Sequence, residues 1–376
     1  HLSAGSEIAA GECFARLGNQ THNGGWSCHR HFQMALLMDG LSRDWPGVVD
    51  PDELYFWSKV FPNPAALMNL SDEKVSYKGI NETQLLEKRK TKFARNLKLS
   101  YKSPLMFVRG WKHFLFDQNG QPFLDAYNNV PHVGHAHPRI RKVAEEQLAR
   151  VNSNTRYLHP AQIAFAEKLT QKTPENLSIC FFVNSGSEAN ELALRLARAY
   201  SGAKDTIVLD DGYHGNTTGA IDISPYKFNR KNGVGKPDWV EIMPSPDDYK
   251  GAFLRDDPFA GEKFGALADV AIGNIHRRGG RLACFIAETF PSVGGQIIPP
   301  KGYLEAVYHR VRAAGGVCIA DEVQTGLGRL GENYFAFEEQ CVVPDIIVLG
   351  KPIGNGHPMG AVVTTPEIAA SFDTVS

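Results

Sequence analysis

Apolar runs and amphipathic segments alternate along the chain after Pro138. Short, almost purely apolar runs predict buried strands, and they lie at 179–183, 206–209, 282–287, 316–320 and 345–349. Between them, the apolar positions of 187–200 and 303–314 recur with helical spacing and predict helices. Near-continuous apolar strands separated by helices are typical of a mostly parallel sheet covered by helices on both faces. The pattern therefore predicts an α/β fold, whose ligands bind at the carboxyl ends of the strands.

The pattern of the first 130 residues is different. Residues 1–42 are glycine-rich with short alternating apolar stretches and predict a small β-structure, whereas the prolines of 43–79 indicate a connector. Residues 82–90 have helical spacing, and 106–125 alternate as a hairpin with its turn at 117–120. We therefore expect four regions, at 1–42, 43–79, 80–130 and 131–376.

Composition and charge limit the classes of protein and partner that this sequence fits. The chain has 376 residues, of which 43% are hydrophobic and 22% charged, and its formal net charge is -1. This is ordinary globular composition, and the charge gives no reason to expect a nucleic acid or an anionic membrane as partner. No uncharged stretch approaches the roughly 18 residues of a membrane span, and no signal peptide is recognisable. Because Cys180, Cys284 and Cys318 lie in apolar runs without a CxxC pair, we expect reduced thiols in a cytoplasmic protein.

Two of the apolar runs are each followed by a charged residue that is a candidate for catalysis. Lys351 follows the run 345–349 and enters a glycine-rich turn, and Asp321 follows the run 316–320. A buried lysine amine is disfavoured in its charged form and becomes a nucleophile toward aldehydes. A buried aspartate beside a pyridine nitrogen would keep that nitrogen protonated. Together they are the parts needed to hold pyridoxal phosphate as a Schiff base. A metal shared by Asp321 and Glu322 is the weaker alternative, because neighbours in a strand point to opposite faces, one inward and one outward.

An anion site is predicted at the start of the helix 187–200. Ser185, Gly186 and Ser187 would bring backbone N–H groups and hydroxyls to a helix N-terminus, which suits a phosphate. The alternative is that Ser185 or Ser187 only caps the helix.

Three further residues follow strand ends. Tyr213, between Gly212 and Gly215, could stack on a flat cofactor ring, or it could fill a glycine-rich turn. Glu288 could support the site or pair with a cation, or it could be a solvated carboxylate. Gln324 could bond a phenolic oxygen of the cofactor, or it could be a satisfied loop amide.

Four ordered motifs carry a resemblance to the class III aminotransferase family of fold type I, over residues 80–376. They are Asn184-Ser-Gly-Ser-Glu-Ala-Asn190, Tyr213-His-Gly215, Ala320-Asp-Glu-Val-Gln-Thr-Gly-Leu-Gly-Arg329 and Gly350-Lys-Pro-Ile-Gly-Asn-Gly-His-Pro358. The resemblance implies that Lys351 binds pyridoxal phosphate covalently and Asp321 pairs with its ring nitrogen. It also implies that Gln324 lies near the ring hydroxyl, that Tyr213 stacks on the ring, and that Gly186 and Ser187 bind the phosphate. We also expect Ser185, His214 and Glu288 among the cofactor-binding residues.

The same resemblance carries expectations about domains and assembly. Residues 80–130 would be the start of a small domain, and 131–376 the large cofactor-binding domain. Class III enzymes resemble one another in being homodimers with shared active sites. A phosphate-binding threonine from the other subunit would come from a segment after Ser376. The chain begins at His1 rather than Met and ends after a helical segment, so we expect a piece of a longer protein.

Within the family, several strings resemble the subgroup of ammonia-releasing phospho-lyases that act on phosphoethanolamine and phosphohydroxylysine. They are Asp125-Ala-Tyr-Asn-Asn-Val-Pro-His-Val-Gly-His-Ala-His-Pro138, Asn154-Thr-Arg-Tyr-Leu-His159, Ile223-Ser-Pro-Tyr-Lys-Phe228 and Gly294-Gly-Gln-Ile-Ile-Pro-Pro300. Arg156 is a candidate for binding a substrate carboxylate or phosphate, or it forms a surface salt bridge. Asn128 is a second substrate candidate.

Residues 1–42 resemble the second half of an M23 metallopeptidase domain. His1-Leu-Ser3, the segment 7–12 and His29-Arg-His31 carry this likeness. It implies that His31 would be a zinc ligand and that His29 and His1 would assist catalysis. Because the other ligands would come from an earlier HxxxD segment that this sequence lacks, no stable zinc site is expected here.

The sequence leaves four functions open. The first is a pyridoxal-phosphate-dependent aminotransferase acting on a small amine, and the second is a phospho-lyase acting on a phosphorylated amino alcohol. The third is an inactive binding module with the same fold, which an intact Lys351 and Asp321 disfavour. The fourth is a cell-wall metallopeptidase, which would need the missing zinc ligands.

Overall fold

The computed structural model describes residues 81–118 and 121–375. The predictions for 1–42, including His1, His29 and His31, and for 43–79 lie outside the described residues. Contacts between residues divide the chain after Ala126 into two compact units.

The described part of the first unit contains one helix and a small antiparallel sheet. Its elements are α1 (Glu82–Lys92), β1 (Phe107–Trp111), β2 (Phe114–Asp117) and β3 (Pro122–Leu124). The helix begins where the Asn81 side chain accepts a hydrogen bond from the Gln84 N–H. The sequence predicted one hairpin over 106–125, but there are two in succession. Lys112, with φ of 52°, provides a second tight reversal, so that Trp111 pairs with Phe114.

The second unit alternates strands and helices. Its helices are α2 (Pro138–Leu148), α3 (Pro160–Thr170), α4 (Gly186–Ser201), α5 (Thr218–Asp222), α6 (Pro225–Phe228), α7 (Ala260–Arg277), α8 (Tyr303–Ala313) and α9 (Pro366–Ala370). Its strands are β4 (Ile179–Val183), β5 (Asp205–Leu209), β6 (Val240–Met243), β7 (Leu282–Glu288), β8 (Val317–Asp321), β9 (Ile346–Leu349) and β10 (Gly360–Thr364). Two 3-10 helices are found at Ala336–Gln340 and Lys351–Gly354.

Seven strands form one sheet in the order β4-β10-β9-β8-β7-β5-β6. Strands β5 to β9 run parallel to one another, whereas β10 runs antiparallel to both of its neighbours, β4 and β9. The register of β7 against β8 sets Glu288 opposite Asp321, at the carboxyl ends of both strands. The predicted fold class, a mostly parallel sheet between helices, is confirmed.

Helix α4 shows how the local sequence determines where a helix begins and ends and which face it buries. The Ser185 side chain caps it by accepting from the Glu188 N–H, and Gly202 ends it with φ of 61°. The buried face of the helix, which includes Ala189, Ala193 and Leu196, packs on one side of the sheet. Helices α7 and α8 pack on the other side. The fully apolar strands are therefore covered on both faces, as their sequences require.

The five predicted strands and the two helices predicted in the second unit agree with the structure to within one residue at each end. The helix predicted at 82–90 begins at the same residue and ends two residues later, at Lys92. The pattern did not predict α2, α3, α7, β6 or β10. Within the residues that the structure describes, no helix combines the length and the apolar character needed to cross a membrane.

Candidate active site

A cavity of about 240 Å³ lies at the carboxyl ends of the parallel strands. It is lined by eight of the nine predicted cofactor-binding residues, namely Gly186, Ser187, Tyr213, His214, Glu288, Asp321, Gln324 and Lys351. These side chains come from five separate segments of the sequence. The topology therefore brings the predicted residues together where α/β folds bind ligands.

Asp321 is held in one orientation at the end of β8. Its side chain is buried, and one oxygen, Oδ2, accepts from Asn190 Nδ2 at 2.9 Å and from His214 Nδ1 at 2.8 Å. Its other oxygen, Oδ1, accepts from the backbone N–H of Val323 at 3.1 Å. Three donors from three elements fix the carboxylate, which suits a group that must face one defined atom of a ligand.

Asn190 was missed as a site residue, although it lies in one of the quoted motifs. It is 1% exposed, lines the cavity, and also donates from Nδ2 to the backbone oxygen of His214 at 2.8 Å. The sequence could have indicated Asn190, because a residue three positions after Ser187 lies on the same side of the helix as Ser187. A buried asparagine on that face has to find polar partners.

Lys351 extends from the loop after β9. Its φ of 37° is in the left-handed region, which is strained for a residue with a side chain. Its ammonium group forms no hydrogen bond or ion pair with the residues that the structure describes. Burial lowers the pKa of Lys351 below its ordinary value, opposed by the charges of Asp321 and Glu288 and reinforced by that of Arg329. The lower pKa raises the share of neutral amine, which is the nucleophilic form.

Glu288 and Gln324 form a hydrogen-bonded part of the cavity wall. Glu288 Oε2 accepts from the backbone N–H of Ser292 at 3.2 Å, from the Ser292 hydroxyl, and from Gln324 Nε2 at 3.3 Å. Gln324 Oε1 in turn accepts from Asn129 Nδ2 at 2.6 Å. Burial raises the pKa of Glu288, and the charge of Asp321 adds to the rise. Glu288 is therefore a buried carboxylate rather than a solvated one.

The predicted anion cradle, at the start of α4, lies at the cavity. Gly186 and Ser187 line the cavity, and Ser187 Oγ accepts from the Asn216 N–H at 3.1 Å. At Gly215, with φ of 133°, an added Cβ would lie 2.8 Å from Ser187 Cα, so only glycine allows this approach. Ser185 does not line the cavity and acts as the helix cap, which was the alternative interpretation of that residue.

Tyr213 presents an aromatic ring to the cavity. The ring meets Tyr226 edge to face at 6.0 Å, and Lys227 Nζ lies 5.3 Å from its centre. Burial raises the pKa of the Tyr213 hydroxyl. A flat, neutral ring is thus held at the cavity, as stacking on a planar ligand requires.

The prediction that one of the Asp321 and Glu322 carboxylates points outward is wrong. Glu322 is 1% exposed, and it accepts from Thr289 Oγ1 at 2.8 Å, Thr325 Oγ1 at 2.6 Å, and the N–H groups of Ala336 and Phe337 at 3.0 Å each. The two carboxylates do point to opposite sides of the strand, but the far side is protein interior. Glu322 secures the 3-10 helix Ala336–Gln340.

The two substrate candidates are not part of the cavity wall. Arg156 is exposed, and its backbone N–H donates to Asn154 Oδ1 at 3.1 Å. Asn128 is exposed as well, and it is the next residue, Asn129, that reaches Gln324. Their roles in substrate binding remain predictions.

The residues around the cavity fit pyridoxal phosphate. They supply an amine at Lys351 that no described residue pairs with, a fixed carboxylate at Asp321, a ring at Tyr213 and backbone N–H groups at a helix start. In addition, His214 Nε2 and Glu288 Oε1 are buried without a protein partner, as expected of groups that meet a ligand or water. No group of three or more His, Cys, Asp or Glu side chains suited to a metal is found within 81–118 and 121–375.

Fold and site together define a protein of the fold type I aminotransferase class. Residues 98–376 match the family described as aminotransferase class-III, and the chain belongs to this family. The family implies pyridoxal phosphate as the cofactor, as the sequence predicted.

Three relatives illustrate the likeness. Alanine–glyoxylate aminotransferase 2-like from Drosophila melanogaster is 49% identical over 303 residues, which are 79% of this chain and 61% of the relative. Ethanolamine-phosphate phospho-lyase homolog 1 from Caenorhabditis elegans is 39% identical over 301 residues, 77% of this chain and 64% of the relative. A phospholyase from Arthrobacter, solved in complex with phosphoethanolamine, is 40% identical with a TM-score of 0.73, covering 78% of this chain and 68% of that one. The chain thus spans less than two thirds of the two curated relatives.

Proposed function

We propose that this chain carries the catalytic centre of a pyridoxal-phosphate-dependent aminotransferase, which moves an amino group from a small amine or amino acid to a keto acid or aldehyde. The observation that supports this most directly is the convergence of Lys351 and Asp321 on one cavity at the strand ends. The family assignment supports the same reaction class.

Each residue has a proposed task. When bound, pyridoxal phosphate supplies a carbonyl for amine attachment and a ring that accepts electrons. Lys351 would hold it covalently and then, as a free amine, remove the proton from the carbon next to the substrate nitrogen. Asp321 would keep the ring nitrogen protonated, and Tyr213 would stack on the ring.

The remaining cavity residues would bind and orient the cofactor. Gly186 and Ser187 would bind its phosphate at the start of α4, where N–H groups and the helix dipole favour an anion. Gln324 would bond the ring hydroxyl, and Glu288 would hold Gln324 in place through their hydrogen bond. His214 would orient Asp321.

A phospho-lyase is the second candidate, and the likeness to the Arthrobacter phospholyase and the nematode homologue favours it specifically. The two reactions make different demands on the chain after Lys351 has taken the proton. In transfer, Lys351 has to return the proton at a second carbon. In elimination, a phosphate departs with the electrons of its C–O bond, and the chain has to bind the departing anion.

One experiment separates the candidates. Full-length protein loaded with cofactor is incubated with alanine and glyoxylate, and separately with phosphoethanolamine alone. Formation of pyruvate and glycine that depends on the acceptor supports transfer, whereas release of phosphate and ammonia without an acceptor supports the lyase. Lys351→Ala should abolish either activity. Neither product from the wild-type protein would leave the inactive binding module as the explanation.

Two properties of the whole protein belong to this proposal. We expect a homodimer with shared active sites, which sedimentation of the full-length protein tests directly, since a monomer at micromolar concentration would contradict it. The cytoplasmic location and the M23-like function of residues 1–42 remain predictions, and zinc analysis of the full-length protein tests the second.

A further inference from the structure

Arg329, eight residues after Asp321, is an exposed cation in the segment that follows β8. Four other arginines, Arg255, Arg278, Arg310 and Arg312, each pair with a carboxylate at 3.0 Å or less. Among the residues that the structure describes, no carboxylate lies within ion-pair distance of Arg329. The N–H donors of an arginine that is not paired with a carboxylate can bind the oxygens of an anion.

The guanidinium of Arg329 is held in place by polar groups. Its Nη2 donates to the backbone oxygen of Asn129 at 2.9 Å and lies 3.0 Å from His132 Nδ1. His132 is itself fixed, because its Nε2 lies 2.8 Å from the backbone oxygen of Leu327. The Nε and Nη1 groups of Arg329 form no hydrogen bond with the described part of the chain, and neither is a buried unpaired atom. Their N–H donors are available to a ligand.

Arg329 is linked to the cavity wall through Asn129. Asn129, which anchors it, donates to Gln324 at 2.6 Å, and Gln324 lines the cavity. The charge of Arg329 is also near enough to lower the pKa of Lys351. The guanidinium is therefore one residue removed from the cavity wall.

The charges of the cavity explain why such a cation would be needed. Asp321 and Glu288 both line the cavity, so an anionic substrate would meet two acidic groups there. Arginine offers a planar pair of N–H donors that matches the oxygens of a phosphate or a carboxylate. A fixed guanidinium beside the cavity would keep the anionic end of the substrate away from the two acidic groups.

We propose that Arg329 binds the anionic group, a phosphomonoester or a carboxylate, of the amine substrate. This inference rests on the proposed function, because it assumes an amine bound at Lys351. It assigns the anion site to Arg329 in place of Arg156.

The test is a spectral titration of the full-length, cofactor-loaded protein. Phosphoethanolamine, β-alanine and propylamine are each added, and the amplitude of the rapid change in cofactor absorbance, recorded by stopped flow before turnover, gives an apparent Kd. In Arg329→Met we expect phosphoethanolamine, β-alanine or both to bind about 30-fold more weakly, because a charged hydrogen-bonded pair is lost. Propylamine, which has no anion, should change less than about threefold. Which of the two acids is affected identifies the anion.

Three comparison variants make the result specific. Arg329→Lys keeps the charge and should recover part of the affinity for the anionic amines. Arg255→Met removes an exposed arginine paired with Asp248 and should change no Kd. Equal weakening of all three ligands in Arg329→Met, no weakening at all, or a selective loss in Arg156→Met instead would overturn the inference.

A second measurement remains informative if the proposed function fails. Should the wild-type protein bind or convert no amine, calorimetry with inorganic phosphate and with acetate on the cofactor-loaded protein addresses the anion site alone. Binding of either anion that weakens about tenfold or more in Arg329→Met supports the site. Binding that is absent or identical in both proteins contradicts it.

Discussion

At the scale of single residues, cavity side chains such as Asp321 are oriented by hydrogen bonds from residues that are distant in the sequence. Asp321 and Lys351 could be predicted because each follows an apolar run, and Lys351 also enters a glycine-rich turn. Asn190 could not be assigned in this way, because its role depends on His214 and Asp321, which are 24 and 131 positions away. In the sequence, Arg329 stands out only as the last residue of a family motif. That no carboxylate in the described part of the chain lies within ion-pair distance of it is visible only in three dimensions.

Replacing Asn190 with leucine should weaken cofactor binding more than it weakens the fold. The substitution removes the donor to Asp321 and leaves the carboxylate with one fewer constraint. It also removes Oδ1, a buried atom without a partner. We expect about tenfold weaker binding of pyridoxal phosphate, measured by equilibrium dialysis.

Ala197→Gly is the control for this change, because it loosens the same helix at a buried position outside the cavity. It should lower Tm with little effect on cofactor affinity. An unchanged affinity in Asn190→Leu would mean that His214 and Val323 suffice to hold Asp321.

Replacing Lys351 with methionine should stabilise the cofactor-free protein at neutral pH. Burial holds the pKa of Lys351 below its ordinary value of 10.5, so the unfolded chain binds this proton more tightly. The cost of the charged amine is therefore fully present below the folded pKa and disappears as pH rises toward 10.5. Urea unfolding at pH 7 and at a pH near 10 should show an advantage for Lys351→Met that shrinks at the higher pH. A less stable variant at pH 7 would contradict this.

At the scale of elements, a strand or helix could be predicted when its own residues determine its structure, and was missed when packing against another element determines it. Strands β7 and β8 are apolar on both faces, and their sequences alone were sufficient. Helix α7 was missed because it contains three glycines, Gly261, Gly265 and Gly273, which disfavour helix in isolation. Its neighbour explains them, since a Cβ at Gly265 would lie 2.4 Å from Ala306 Cβ on α8. Close packing of two helices is a tertiary property that one segment does not reveal.

The turn before α5 leads to a prediction about the anion cradle. In Gly215→Ala, the new Cβ would meet the backbone of Ser187, and the φ of 133° is unfavourable for alanine. We expect a loss of about 2–3 kcal/mol in the free energy of unfolding, with weaker cofactor binding, because the first turn of α4 has to move.

Gly235→Ala is the matched control. Its φ of 81° is also positive, but no atom lies within 4 Å of the added Cβ. It should lose only about 1 kcal/mol and keep its cofactor affinity. Chemical unfolding and dialysis measure both effects, and equal losses in the two variants would show that backbone strain alone is responsible.

At the scale of the whole molecule, the apolar core belongs to the second unit. All buried members of the three core clusters lie between Leu169 and Phe372. In the described part of the first unit, Phe116 is the buried hydrophobic residue. The pattern of apolar and polar residues changes near residue 80. Only the contacts between residues could place a division of the chain after Ala126.

This distribution predicts the behaviour of two fragments. A protein that comprises 127–376 should unfold in one cooperative thermal transition, because it retains the complete seven-stranded sheet and its covering helices. A peptide of 81–126 should show no such transition, because its small sheet lacks a core of its own. Circular dichroism as a function of temperature measures both. Non-cooperative melting of 127–376 would contradict the prediction.

The antiparallel strand β10 has a consequence for biosynthesis. It lies between β4 and β9, so β4, which leaves the ribosome about 180 residues earlier, has no sheet partner until β10 emerges. For that interval the nascent chain carries an apolar strand with unsatisfied edges, a hazard for aggregation. Protection by a chaperone should therefore matter most between synthesis of residue 183 and residue 364, and prematurely terminated products should be cleared rather than accumulate.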